Sequence, residues 1–166
     1  MSTSNLDAIF NPRSVAIAGV STKATTAQFG GGAYLNAMLK CGFKGQLYPV
    51  NPRGGEVMGL QVYPSVRDIP GPVDYVISAI PASGALQLTK DCVAKGVKAI
   101  HFFTSGFSEL GKGEGIQLER EILTLAREHG MRIVGPNCMG VYCPASGVSW
   151  LISLARAATL EPSARA

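Results

Sequence analysis

Short apolar runs alternate with longer amphipathic stretches along most of the chain, and glycine, proline or aspartate punctuates the boundaries. Val15-Ala16-Ile17-Ala18, Leu47-Tyr48-Pro49-Val50, Tyr75-Val76-Ile77-Ser78-Ala79-Ile80, Ala99-Ile100-His101-Phe102-Phe103 and Arg132-Ile133-Val134 are the apolar runs. Short bounded runs of this kind are what strands buried on both faces require. Between them, Ser83 is placed to cap a helix carrying Leu86, Thr89 and Val93 on one face, and Gly96 can end it in the left-handed conformation. Leu118, Ile122, Leu125 and Ala126 recur at helical spacing, with Glu114 near the start and Arg127 and His129 near the end before Gly130, as the macrodipole favours. A further helix over about Ala33 to Lys40 follows the glycine triplet Gly30-Gly31-Gly32, and Leu6 to Phe10 forms a short helical lead-in on the sheet edge before the turn Asn11-Pro12-Arg13. The alternation predicts an α/β fold: a doubly wound, mostly parallel five-stranded sheet with helices on both faces.

The pattern changes past Gly135, where Pro136, Pro144 and Gly147 break structure and Leu151 to Ala166 is an Ala, Leu and Arg stretch with no strand or turn to continue the alternation. The expected organisation is one domain over residues 1–147 and a tail over 148–166, extended or helical and poorly packed. A length of 166 residues suits one domain, and 46% hydrophobic content can fill its core. Fifteen basic against 11 acidic residues give a net charge of +4, but the basic residues are scattered, as on a solvated surface and unlike a nucleic-acid patch. Cys41, Cys92, Cys138 and Cys143 are too irregularly spaced for a zinc ribbon or a redox CxxC. The start is polar, without a secretory leader, and no apolar run approaches the roughly 18 residues a membrane span needs. The expectation is a cytoplasmic chain with reduced thiols and no nucleic-acid or membrane partner.

In open α/β sheets, ligands bind outside the carboxyl ends of the strands. The segments there are Gly19-Val20-Ser21-Thr22, Asn51-Pro52-Arg53, Pro81-Ala82-Ser83, Thr104-Ser105-Gly106-Phe107 and Gly135-Pro136-Asn137-Cys138-Met139-Gly140, all small, kinked or hydroxylated. Such turns can merely punctuate loops; together with a helix start they can also form an anion cradle from backbone N–H groups. A site that reads NAD places an acid at the second strand end, to hydrogen-bond the ribose 2′-hydroxyl. Here that place holds Asn51-Pro52-Arg53, and a basic residue accommodates an additional phosphate, as in coenzyme A or NADP. The first loop lacks the second glycine of the dinucleotide fingerprint, and a spacer separates Ser21 from Gly30, which weakens the NADP reading and suits a loop wrapping a diphosphate and a pantetheine arm. Arg53 reads either as a solvated guanidinium or as a phosphate clamp.

Nucleophilic catalysis needs a Ser or Cys beside a base. The two histidines are His101, a core or sheet-edge residue in a strand, and His129, a helix-end cation; neither is followed by a triad signature. Cys138 is either a reactive thiol at the ligand mouth or a small buried residue, and Glu109 is the one acid near a strand end. No carboxylate pair or metal-ligand cluster stands out, so neither a catalytic residue nor a metal site is expected.

Four blocks in order, Asn11-Pro12-Arg13-Ser14-Val15-Ala16, Tyr48-Pro49-Val50-Asn51-Pro52, Ser105-Gly106-Phe107-Ser108-Glu109 and Gly135-Pro136-Asn137-Cys138-Met139-Gly140, resemble the N-terminal CoA-binding domain of NDP-forming acyl-CoA synthetases. That domain is similar to the start of the succinyl-CoA synthetase alpha subunit, and the match runs from about Leu6 to Pro144. The resemblance implies a Rossmann-like domain holding CoA in enzymes that interconvert an acyl-CoA, a nucleoside diphosphate and phosphate with the free acid, CoA and a nucleoside triphosphate. It further implies that Gly19, Val20, Ser21 and Thr22 contact the CoA diphosphate, and that Arg53, after Asn51 and Pro52, contacts its 3′-phosphate. Ile80, Pro81 and Ala82 would face the adenosine, Phe103, Thr104 and Ser105 the pantetheine, and Asn137 the thiol end.

The family's phosphorylated histidine and its ATP-grasp nucleotide site lie on other domains, and neither His101 nor His129 occupies the histidine's place. The expected function is therefore the CoA-binding part of an acid–CoA ligase, inactive without ligase domains or a partner subunit, in a truncated or frameshifted gene product. The alternatives are a stand-alone CoA-binding regulatory module, the CoA-binding part of a protein acetyltransferase and, as the remotest, an NADP-dependent oxidoreductase.

Overall fold

The computed structural model describes residues 6–22 and 29–149. Its strands are β1 (Ser14–Ala18), β2 (Gln46–Val50), β3 (Gly55–Val57), β4 (Leu60–Val62), β5 (Tyr75–Ser78), β6 (Ala99–Phe102) and β7 (Arg132–Val134). Its α-helices are α1 (Asp7–Phe10), α2 (Gly31–Lys40), α3 (Ala85–Lys95) and α4 (Gly113–Glu128). Strands β2, β1, β5, β6 and β7, in that spatial order, form a five-stranded sheet in which every pairing is parallel. The chain builds from β1 outward to β2 at one edge, then crosses back to lay β5, β6 and β7 on the other side. The order therefore reverses between β1 and β5, and their carboxyl ends flank the topological switch point where doubly wound sheets open a crevice.

Side chains alternate between two cores, as a pleated strand dictates. On one face Val15, Ile17, Tyr75, Ile77 and Ala99 pack with Tyr34, Leu35 and Met38 of α2. On the other, Ala16, Ala18, Val76 and Ile100 pack with Leu88 and Cys92 of α3 and Ile122 and Ala126 of α4. Helices cover both faces, and the fold is the Rossmann-like α/β arrangement expected. No helix among the described residues is long and apolar enough to cross a membrane, and the four cysteines are free.

Several local expectations are corrected. Helix α2 starts at Gly31, two positions before Ala33. Ser83 is not the cap of α3: a 3-10 turn over Ala82–Gly84 follows Pro81, and α3 starts at Ala85 with no side-chain cap. The turn shifts the helical phase, so the buried face is Ala85, Leu88, Thr89 and Cys92, with Leu86 and Val93 only packed against it. Gly96 and Gly130 do adopt positive φ, 74° and 65°. The lead-in forms the short helix α1, with Ile9 buried in the α2-side core. Strand β5 ends at Ser78 and β6 at Phe102, which releases Ala79-Ile80 and Phe103 into the loops above the sheet.

Hydrophobic alternation does not reveal the hairpin β3–β4. Its two-residue turn, Met58-Gly59, has φ of 50° and 76°, the conformation that matches the twist of a tight hairpin. Strand pairing continues from it to the sheet edge, where Tyr63 N donates to Pro49 O at 2.9 Å. Pro49 thus turns its missing donor away from β1, as proline on an edge strand must. Packing also reaches past the expected boundary at 147: Val148 and Ser149 are buried, and Cys143 bridges to Val148. The rest of the expected tail lies outside the described residues, as does most of the spacer between Ser21 and Gly30.

Candidate functional site

Two glycines build the first strand end. Gly19 turns the chain at φ 94°, and a Cβ there would sit 2.4 Å from Ala79 O on the neighbouring strand end. Gly31, the first residue of α2, lies so close that its Cβ would come within 2.8 Å of the Gly19 carbonyl. The close helix-to-strand packing that the dinucleotide fingerprint achieves with adjacent glycines is therefore present, although a spacer intervenes. Helix α2 has no acidic residue in its first turn. Its first amides point out without intrahelical acceptors, as at any helix start, and its positive dipole end is not neutralised from within. A helix start of this kind has the chemistry to receive an anion on backbone groups.

The second strand end is bolted to the first. Asn51 Nδ2 donates to Val20 O at 2.9 Å, Asn51 Oδ1 accepts from Arg53 N at 3.0 Å, and Gly54 N closes the turn on Asn51 O at 2.9 Å. The Asn51 amide is thereby engaged in both directions, while Pro52 and Arg53 are exposed. Among the described residues Arg53 has no carboxylate partner; the ion pair there is Arg13 with Asp74, at the opposite end of the sheet.

The third and fourth ends are joined by Thr104, whose hydroxyl donates to Ile80 O. Beyond it the loop meets its own acid. Glu109 accepts from Gly106 N at 2.6 Å and Phe107 N at 3.0 Å, and Glu119 of α4 accepts from Ser108 N at 3.0 Å. The bond from Gly106 is the main reason the Glu109 carboxyl is held below its ordinary range. A groove of about 250 Å³ opens between this loop and the 3-10 turn at Ala82–Gly84, walled by Ala82, Ser83, Phe107, Lys112 and Leu118.

The fifth end, residues 135–140, is held from beneath. Asn137 N donates to Thr104 O at 3.0 Å and Cys138 N to Phe102 O at 3.2 Å. His101, fully buried on β6, places Nε2 2.7 Å from Cys138 O. A carbonyl only accepts, so Nε2 carries a proton, while Nδ1 has no partner among the described residues. Burial lowers the His101 pKa below the ordinary histidine value, against the opposing pull of that hydrogen bond. Tyr34 of α2 donates its hydroxyl to Met139 O at 2.7 Å, and burial raises its pKa so that the proton stays on. The Tyr34 ring meets those of His101 and Phe103 edge-on at 5.7 and 5.6 Å.

A family model described as a CoA binding domain matches residues 13–144, most of the chain. This chain belongs to that family. It is 42% identical over 85% of its length to the alpha subunit of ADP-forming acetate–CoA ligase I from Pyrococcus furiosus, of which it spans 31%. It is 40% identical over 84% of its length to ADP-forming acetate–CoA ligase II from Archaeoglobus fulgidus, of which it spans 20%. The curated relatives it matches are thus several times longer than the aligned part. Among solved structures, the acetyl-coenzyme A synthetase 1 of Ca. Korarchaeum cryptofilum in complex with phosphate and ADP superposes with a TM-score of 0.79 at 38% identity, covering 89% of this chain and 31% of that one. A conserved hypothetical protein from Pyrococcus furiosus aligns at 28% identity with a TM-score of 0.57, covering 76% of this chain and 96% of that one. The domain is therefore of the type that begins NDP-forming acyl-CoA synthetases, and coenzyme A is the family's cofactor.

The residues expected from the resemblance to contact CoA lie on the carboxyl edge of the sheet, but they do not present alike. Val20 is buried in the α2-side core, so only its backbone can reach a ligand. Asn51 and Thr104 spend their side chains bracing neighbouring loops. Gly19 shapes the turn, Ile80, Ala82 and Phe103 are half-buried, and Ser21, Thr22, Pro52, Arg53, Pro81, Ser105 and Asn137 are exposed. Of the four motif blocks, the one around Arg13 lies away from this edge, where Arg13 N donates to Asp74 at 2.9 Å and ties β1 to β5. Sequence reasoning marked the triplet holding Gly31 but not its contact with Gly19, and it missed Tyr34 and the hairpin β3–β4, whose Gly55 stands against the Thr22 methyl. The run Gly54-Gly55 before Met58-Gly59 was a signal for the hairpin; nothing in the linear pattern marks Tyr34.

Proposed function

We propose that this chain is the CoA-binding part of an NDP-forming acid–CoA ligase, with CoA laid along the carboxyl edge of the sheet. The diphosphate rests at the start of α2 against Gly19-Val20-Ser21-Thr22, and the 3′-phosphate on Arg53. Ile80, Pro81 and Ala82 face the adenosine, Phe103, Thr104 and Ser105 the pantetheine, and Asn137 the thiol end. The observation that carries this reading is the meeting of Gly31 with Gly19, which sets an acid-free helix start on the first strand end, to which Asn51 ties the turn of Arg53, a residue exposed and without a carboxylate partner among the described residues. The pantetheine, a neutral diamide, suits the fourth strand end, where Glu109 already fills the amides an anion would need.

The chain binds CoA but does not turn it over alone. Among the described residues no histidine stands free to take up a phosphoryl group at this edge: His101 is buried, and His129 closes α4 at the other end of the sheet, its Nδ1 2.9 Å from Leu125 O. Acyl-CoA formation then requires ligase parts beyond this domain, on the same or another polypeptide. A second reading, a stand-alone CoA-binding module, is favoured by the Pyrococcus furiosus protein that this domain covers almost entirely.

Calorimetric titration tests the binding claim. Arg53→Ala should weaken CoA about tenfold or more, since a charge-assisted phosphate contact is worth roughly 1.5–3 kcal/mol, and should leave 3′-dephospho-CoA unaffected. Equal losses for both ligands would remove Arg53 from the 3′-phosphate, and no CoA affinity in the folded wild type would end the reading.

A further inference from the structure

We infer that Tyr34 and His101 are positioning residues for the thiol end of CoA, acting through the loop at 135–140; the inference rests on the binding reading above. Neither side chain reaches the exposed edge. Each instead grips a successive backbone carbonyl of that loop from below, His101 through Cys138 O and Tyr34 through Met139 O, both at 2.7 Å. Gly140 completes the fit: a Cβ there would lie 2.9 Å from His101 Cε1, so the imidazole packs directly on the glycine backbone. Asn137, at φ 48°, is thus presented at the edge by a loop whose next two carbonyls are fixed.

Tyr34 has a further consequence because of where it is rooted. It stands on the first turns of α2, the helix whose start packs on Gly19 and Val20. One rigid helix therefore touches the diphosphate end through Gly31 and the thiol end through Tyr34. The spacing between the two ends of the cofactor site is set by a single element, and the Tyr34 hydroxyl is the bond that transmits it. The edge-on contacts with His101 and Phe103 hold the Tyr34 ring in the orientation that the bond requires.

The test is a titration of the full chain with two ligands: CoA, and adenosine 3′,5′-bisphosphate, which keeps the adenosine, the 3′-phosphate and the first phosphate of the diphosphate but has no pantetheine arm. Tyr34→Phe removes one oxygen and keeps the ring. It should weaken CoA by about two- to tenfold, the span of one hydrogen bond, and leave the bisphosphate unchanged. His101→Leu should do the same, whereas His101→Gln, which keeps an N–H donor near the Nε2 position, should recover most of the CoA affinity. If His101→Leu does not fold, Tyr34→Phe carries the test. Equal weakening of both ligands, or unchanged CoA affinity in folded Tyr34→Phe, overturns the inference while leaving the binding reading in place. Absence of CoA binding by the wild type overturns both.

Discussion

The loops after β1 and after β6 are made of the same residue types, glycine among small and hydroxylated side chains, yet they reach opposite electrostatic states. After β1, the start of α2 returns to the loop with no acid in its first turn. After β6, the amides of Gly106, Phe107 and Ser108 are each occupied by a carboxylate, from Glu109 or Glu119. A turn that exposes amides is thus only half of an anion site; the other half is what the chain sends back to meet them. In one loop the chain returns a helix dipole, in the other a glutamate two or three residues on. The difference divides the edge into a part suited to phosphates and a part suited to the neutral arm.

The largest effect that could break this contrast lies at Gly31. In Gly31→Ala the new Cβ meets the backbone of Gly19 and Val20 within 2.9 Å, and no side chain can rotate to relieve it. Overpacking of about 1–3 kcal/mol exceeds the roughly 1 kcal/mol that alanine gains over glycine inside a helix. The variant should therefore melt earlier than the wild type by thermal denaturation and lose CoA affinity by tenfold or more. A stabilised variant with intact affinity would show that the close approach does not shape the site.

A smaller effect is expected at Glu109, and it sharpens the other half of the comparison. Because its folded-state pKa is depressed, the unfolded chain takes up the proton first as pH falls. Its contribution to stability is full above pH 4.5, the ordinary value, and is lost as pH drops through the folded-state value. Glu109→Gln should remove that part of the pH dependence in denaturation curves recorded below pH 4.5 and leave CoA affinity at neutral pH unchanged. A marked change in CoA affinity would place charge recognition at the loop where none is assigned.

Much of the fold could be read from the linear pattern, because a strand buried on both faces needs a mostly apolar run, and the central strands β1, β5 and β6 are buried throughout with only Ser14, Ser78 and His101 breaking the apolar sequence. The hairpin β3–β4 escaped because its strands are three residues each and half exposed, too short for alternation to register. Helix phase at α3 failed at Ser83, since a capping residue type says nothing about the 3-10 turn that precedes the helix. At the site, the strand ends were legible as a set from their glycines, prolines and hydroxyls. What was not legible was occupancy: that the Asn51 amide is committed to the first loop, that Glu109 fills the fourth, and that Tyr34, distant in sequence, supports the fifth. Each depends on which groups the folded chain brings together, and residue type alone carries no such information.

The diphosphate of CoA is expected at the start of α2 and not at the loop after β6. An amide NMR titration with CoA tests it most directly. The largest shifts should fall on Gly19, Val20, Gly31 and Gly32, with the amides of Gly106, Phe107 and Ser108 still bonded to their glutamates and little moved. The largest shifts on Gly106 to Ser108, with Gly31 and Gly32 silent, would contradict it.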